Sequence, residues 1–112
     1  DCHADSSLGP CHFSAYDSET GQLQWRWFTS PTPNDPMHST WGADPQVFPL
    51  EARRNMSAWM TPSIDTERGL LIFGIGSSAP QQPELAGTDG QWPDRLYQGS
   101  TVALDYRTGE LA

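Results

Sequence analysis

Hydrophobic and polar residues alternate with a period of two wherever the chain shows a regular pattern. His12-Phe13-Ser14-Ala15-Tyr16-Asp17 alternates, then stops at Ser18-Glu19-Thr20-Gly21. Gln22 to Phe28 follows, with Leu23, Trp25 and Trp27 on one face and Gln22, Gln24 and Arg26 on the other. Such alternation predicts two strands, and the short glycine-containing turn between them predicts a hairpin. Trp59 to Asp65 predicts a further strand, turning through Thr66-Glu67-Arg68-Gly69. It leads into Leu70-Leu71-Ile72-Phe73-Gly74-Ile75-Gly76, a run apolar on both faces and expected to be covered on both. Ser100 to Asp105 predicts the last strand, with a turn at Tyr106-Arg107-Thr108-Gly109. No stretch carries a helical period.

Between these strands lie two irregular stretches. The first, residues 29–55, holds Pro31, Pro33, Pro36, Pro45 and Pro49, which strand and helix interiors reject. It reads equally as a functional loop or as a tolerated insertion. His38 within it reads as a solvent-exposed histidine or as one facing a substrate entrance. The second stretch runs from Ser77 to Gln98.

The chain has 112 residues, room for one small domain. With 10 Gly and 10 Pro it favours many short elements over a few long ones. Five Trp in so short a chain predict rings that fill a core or line a site. The net charge of −8, with arginine as the only basic residue besides histidine, argues against nucleic acid and anionic membrane surfaces as partners. No run of apolar residues is long enough to span a membrane. The opening Asp1-Cys2-His3 carries no apolar leader, which suggests numbering that begins inside a longer protein. Cys2 and Cys11 are each followed by a histidine. The pair is open to a short-loop disulfide, a Cys/His metal site or two free thiols.

An internal repeat is the most informative feature. Ala15-Tyr16-Asp17-Ser18-Glu19-Thr20-Gly21-Gln22-Leu23 matches Ala103-Leu104-Asp105-Tyr106-Arg107-Thr108-Gly109-Glu110-Leu111. The first copy continues to Trp25, and the second stops before the matching position. In such a turn the Asp accepts hydrogen bonds from the backbone, the Thr caps it, and the Gly takes a positive φ.

This pattern, Ala-x-Asp-x-x-Thr-Gly-x-x-x-Trp, resembles the tryptophan-docking motif of the pyrroloquinoline quinone (PQQ) dependent alcohol dehydrogenases. The resemblance implies an all-β chain, about one and a half blades of a β-propeller built from four-stranded antiparallel blades. Residues 1–112 would form a single partial propeller domain. Within it, 12–28 supply the outer strands of one blade, 29–55 a proline-rich loop and 56–112 most of the next blade. Trp59, Asp65 and Phe73-Gly74-Ile75-Gly76 are similar in spacing to the family's cofactor-pocket strand, which implies Trp59 as the floor beneath PQQ. Without the resemblance, Trp59 reads as ordinary core. Asp94-Arg95-Leu96-Tyr97 resembles the family's Asp-Asn-Leu-Tyr.

The resemblance further implies alcohol oxidation by hydride transfer to the quinone with Ca²⁺ assistance, a periplasmic or secreted location, and an electron acceptor such as a cytochrome. Ser77 stands where the family places a Ca²⁺-binding Asn, and no carboxylate is in register with the family's calcium Glu. Altered metal coordination, a branch with a different site, and a propeller without activity all stay open. The family's catalytic Asp would fall beyond Ala112, so no catalytic residue is assigned. Two rival readings stand beside the enzyme: a non-catalytic propeller acting as scaffold, and a small secreted β-domain that binds ligand through exposed tryptophans.

Overall fold

A computed structural model describes residues 11–32, 34–41, 56, 58–76 and 95–112. Five strands occur among them: β1 (His12–Tyr16), β2 (Leu23–Phe28), β3 (Ser63–Asp65), β4 (Leu70–Gly74) and β5 (Thr101–Asp105). β1 and β2 form a two-stranded antiparallel sheet, and β3-β4-β5 form a three-stranded antiparallel sheet in chain order. Leu111 adds a single antiparallel bridge to Leu104, and the Ala112 amide donates to the Ala103 carbonyl at 3.1 Å. That bridge repeats the pairing of Tyr16 with Leu23 at the start of β2. Repeated sequence has therefore produced repeated register.

The hairpin has two different faces because directly opposed residues share a face. Phe13 opposes Trp27 and Ala15 opposes Trp25, which makes one face aromatic. On the other face the Arg26 Nε donates to Ser14 Oγ at 3.0 Å, and His12 meets Phe28 edge-on at 5.9 Å between ring centroids. The aromatic face packs on the second sheet through Phe73 of β4. Phe13 lies 4.1 Å from the Phe73 ring centroid and Trp27 lies 5.7 Å from it. Phe73 joins Trp41, Met56, Ile75, Val102 and Leu104 in a buried cluster. Burying one such side chain is worth about 1.5–3 kcal/mol, so this cluster is what holds the two sheets together.

Three expectations change. The strand predicted over 59–65 forms only at Ser63–Asp65, because Pro62 cannot donate to the ladder on its N-terminal side. β4 is not covered on both faces: Phe73 is buried, but Leu70, Leu71 and Ile72 are half-exposed. The hairpin packs on its Phe73 face. The proline-rich stretch contains a 3₁₀ helix at Pro36–Trp41 that the proline count argued against. Pro36 occupies its first position, where a missing amide hydrogen costs nothing. Asp35 caps that turn: its Oδ1 accepts from the Met37 amide at 2.8 Å and its carbonyl from the His38 amide at 2.9 Å. Trp41 at the end of this turn is fully buried in the core.

Candidate functional site

The repeated turns come first, because they fix the strands that carry every candidate residue. In the first copy, Asp17 Oδ1 accepts from the amides of Glu19 (3.0 Å) and Thr20 (2.7 Å) and from the Thr20 hydroxyl (2.8 Å). Thr20 Oγ1 in turn accepts from the Gln22 amide at 3.3 Å. The second copy reproduces the backbone part of this pattern: Asp105 Oδ1 accepts from the Arg107 amide (2.7 Å) and the Thr108 amide (3.3 Å), and Thr108 Oγ1 from the Glu110 amide (3.2 Å). Gly21 and Gly109 adopt φ of 71° and 74°.

A third turn of the same form lies at Asp65–Gly69, which the sequence comparison of copies did not reveal. Asp65 Oδ1 accepts from the amides of Glu67 (3.1 Å) and Arg68 (3.0 Å). At the threonine's place stands Arg68, whose Nη1 binds Asp65 Oδ2 at 2.9 Å. Its sequence signal is Asp-x-x-x-Gly, without the Thr that the other two copies share. Hydrogen bonds to its charged form hold the Asp17 carboxyl below its ordinary value, those from Thr20 foremost. Asp65 is lowered likewise, first by the Arg68 amide and then by the Arg68 side chain.

Trp25 connects the two sheets. Its Nε1 donates to the Tyr106 carbonyl at 3.0 Å. Its six-membered ring lies so close over Gly109 that a Cβ there would stand 2.6 Å from Trp25 Cδ2. Glycine at this position thus serves twice, for the left-handed backbone and for the approach of the indole.

Trp59 stands outside the core. Met56 is fully buried and Ala58 packs against the core cluster, so the chain is anchored just before Trp59. The indole itself is 77% exposed, with Met60 and Ile64 also largely exposed nearby in sequence. The reading of Trp59 as ordinary core therefore does not hold among the described residues. Ser77 and Cys2 lie outside the described residues. Cys11 is buried and disulfide-bonded, and Cys2 is the only other cysteine of the chain. The Cys11 carbonyl ties the hairpin's base by accepting from the Thr29 amide (2.8 Å) and hydroxyl (3.0 Å). Among the described residues no three His, Cys, Asp or Glu side chains gather at one point.

Two residues carry more structure than their sequence suggested. Arg95 is buried, at 6% exposure, and burial pulls its guanidinium below its ordinary pKa. Its Nη1 donates to Gln98 Oε1 at 3.2 Å. Tyr97 has φ of 73°, an uncommon state for a bulky residue that costs roughly 1–3 kcal/mol. Its ring meets Trp27 edge-on at 5.0 Å. Burial and the nearby Asp35 charge raise the Tyr97 phenol above its ordinary pKa. His38 sits half-buried on the 3₁₀ helix, not in open solvent.

The sequence matches the glucose/ethanol/alcohol dehydrogenase β-propeller domain over residues 3–112. It is 33% identical over 108 residues to a quinohemoprotein alcohol dehydrogenase of Comamonas testosteroni, and 34% identical over 110 residues to the quinohemoprotein alcohol dehydrogenase ADH IIB of Pseudomonas putida. Each comparison covers 88% of this chain but 15% of the relative, so the chain spans a small part of their length. The crystal structure of the Comamonas testosteroni enzyme superposes with a TM-score of 0.71 at 31% identity, over 90% of this chain and 16% of that one. The antiparallel sheets are thus a piece of a β-propeller, with one turn locked by a tryptophan of the preceding repeat. By its sequence and its fold the chain belongs to the PQQ-dependent alcohol dehydrogenase family.

Proposed function

We propose that the chain is part of a dehydrogenase that oxidises alcohols by hydride transfer to PQQ, with Trp59 forming the floor of the cofactor pocket. The observation that carries this reading is the exposure of Trp59. A 77%-exposed indole, held in place by buried Met56 and half-buried Ala58, offers a flat apolar surface that the described residues leave uncovered. A planar tricyclic quinone matches such a surface by stacking. Within the chain, the role of Trp59 is to bind and orient; the turn at Asp65 and strand β4 hold the segment behind it.

PQQ, when bound, supplies the carbonyl that accepts hydride, and Ca²⁺ supplies the charge that polarises it. Ser77 is the residue proposed at the metal, in the place of the family's Asn. A serine hydroxyl is a shorter and weaker ligand for a hard cation. The substrate is a small alcohol, and the acceptor of its electrons is a cytochrome, in keeping with relatives named quinohemoproteins. A disulfide at Cys11 supports a periplasmic or secreted location, and among the described residues no helix is long and apolar enough to cross a membrane. The second reading, a propeller of this lineage that serves as scaffold, is favoured by the loss of both expected metal ligands: Ser77 stands in place of the family's metal-binding Asn, and no carboxylate is in register with its calcium Glu.

Titration of the full-length protein with PQQ and Ca²⁺, followed by quenching of tryptophan fluorescence, separates the two. Saturable quenching that weakens at least tenfold in Trp59→Ala is the expected result. No quenching at high cofactor concentration would give the scaffold reading the lead.

A further inference from the structure

The end of β2, the segment after it and the turn before β5 line a half-open recess of about 160 Å³. Its apolar walls are Trp27, Phe28, Pro31 and Tyr97, and its polar groups include Ser30 and Asp35. A cavity of about 150 Å³ holds a benzene-sized molecule, so this one has room for a small organic ligand.

Two observations define the ligand. The aromatic wall is assembled from distant parts of the chain, with Tyr97 edge-on to Trp27 at 5.0 Å. Tyr97 holds its place only through a left-handed backbone at φ 73°, a state that Gly or Asn would take with less strain. Strain of this kind persists where the surroundings fix it, and it gathers at sites that bind.

The second observation is the balance of charge. Asp35 is fixed in position by capping the 3₁₀ helix through its Oδ1, at 2.8 Å from the Met37 amide. Arg26 also borders the recess, but its guanidinium is turned to the outer face of the hairpin, with Nε on Ser14 Oγ at 3.0 Å and Nη2 3.5 Å from the Tyr16 hydroxyl. The Tyr97 phenol, raised by burial and by the Asp35 charge, stays neutral at ordinary pH. The recess therefore presents a carboxylate beside aromatic side chains.

The Ser30 hydroxyl is fully buried, closed to a ligand in the recess, and has no hydrogen-bond partner among the described residues. A hard metal ion would want several oxygen ligands and no aromatic wall. An organic ammonium wants a carboxylate and aromatic faces.

We propose that this recess binds a small alkylammonium cation, its charge toward Asp35 and its methyl groups against Trp27 and Tyr97. The site is independent of the quinone reading, since it uses neither Trp59 nor Ser77. The test is ligand-observed NMR on the full-length protein, with tetramethylammonium as probe and tert-butanol as a neutral molecule of similar size. The tetramethylammonium methyl signal should broaden saturably, and tert-butanol should bind at least tenfold more weakly. Asp35→Asn should weaken the cation at least tenfold and leave tert-butanol unchanged. Asn caps helices as well as Asp does, so this variant keeps the 3₁₀ turn. Tyr97→Gly, which removes the wall and the strained side chain together, should weaken both molecules. Equal binding of the two probes would overturn the proposal in favour of a plain apolar pocket. So would an Asp35→Asn variant that binds the cation as well as the parent does, or the absence of saturable broadening at 100-fold excess of probe over protein.

Discussion

The turns at Gly21 and Gly109 are nearly the same in sequence and in hydrogen bonding, yet they sit in opposite surroundings. A Cβ added at Gly21 would meet nothing within 4 Å, whereas one at Gly109 would run into the Trp25 indole at 2.6 Å. The local turn is therefore complete without any neighbour: an Asp acceptor, a Thr cap and a left-handed Gly suffice. What Gly109 adds is a seat for the tryptophan of the preceding repeat. The difference separates two functions that a repeat motif combines, reversing the chain and joining one sheet to the next.

The largest break in this comparison should come from Trp25→Ala. The side chain is half-buried, and its loss removes both the indole contact with Gly109 and the bond to the Tyr106 carbonyl. A destabilisation of about 2–4 kcal/mol is expected, read as a lower urea midpoint. Gly109→Ala comes next, since it strains the backbone and displaces the indole as well. About 2–3 kcal/mol is expected, against about 1–2 kcal/mol for Gly21→Ala, where only the backbone is affected. Equal losses in the two glycine variants would show that the tryptophan seat contributes nothing.

The smallest effect concerns acid. Asp17 and Asp65 have pKa values lowered below 3.8 in the folded chain, so their contribution is present above pH 3.8 and is lost as pH falls through the folded values. Thermal stability should therefore decline on acidification below about pH 4, and Asp17→Asn should flatten that decline slightly. A parent profile with no acid limb in this range would remove the carboxylates from the account.

The hairpin, the two turns and the use of Trp25 as an inter-sheet lock were legible in the sequence because each depends on neighbours within a few positions or on a visible repeat. Alternation alone put Trp25 and Trp27 on one face. What escaped was set by partners far away in the chain. Nothing near Trp41 announces that it will be fully buried, since its partners Phe73 and Leu104 lie in the second sheet. The 3₁₀ turn was missed because prolines were counted as breakers, although Asp35-Pro36 is a sound start signal for a short helix. Leu70 to Ile72 looked like a strand buried on both sides, but hydrophobicity does not say how much of a face a neighbouring sheet will cover. Of the candidate site, the choice of Trp59 is what the family resemblance implies, while its exposure is visible only in the structure. The recess beside Tyr97 left no trace, since it depends on a backbone conformation that a tyrosine rarely adopts.

The bond from Trp25 to Tyr106 spans 81 positions. Each turn closes over a handful of residues and can form as soon as its own segment leaves the ribosome. The lock cannot, because its acceptor lies 81 positions further along the chain. The order of assembly is therefore written into the spacing: local turns first, and their mutual attachment only when the second turn has arrived to receive the indole.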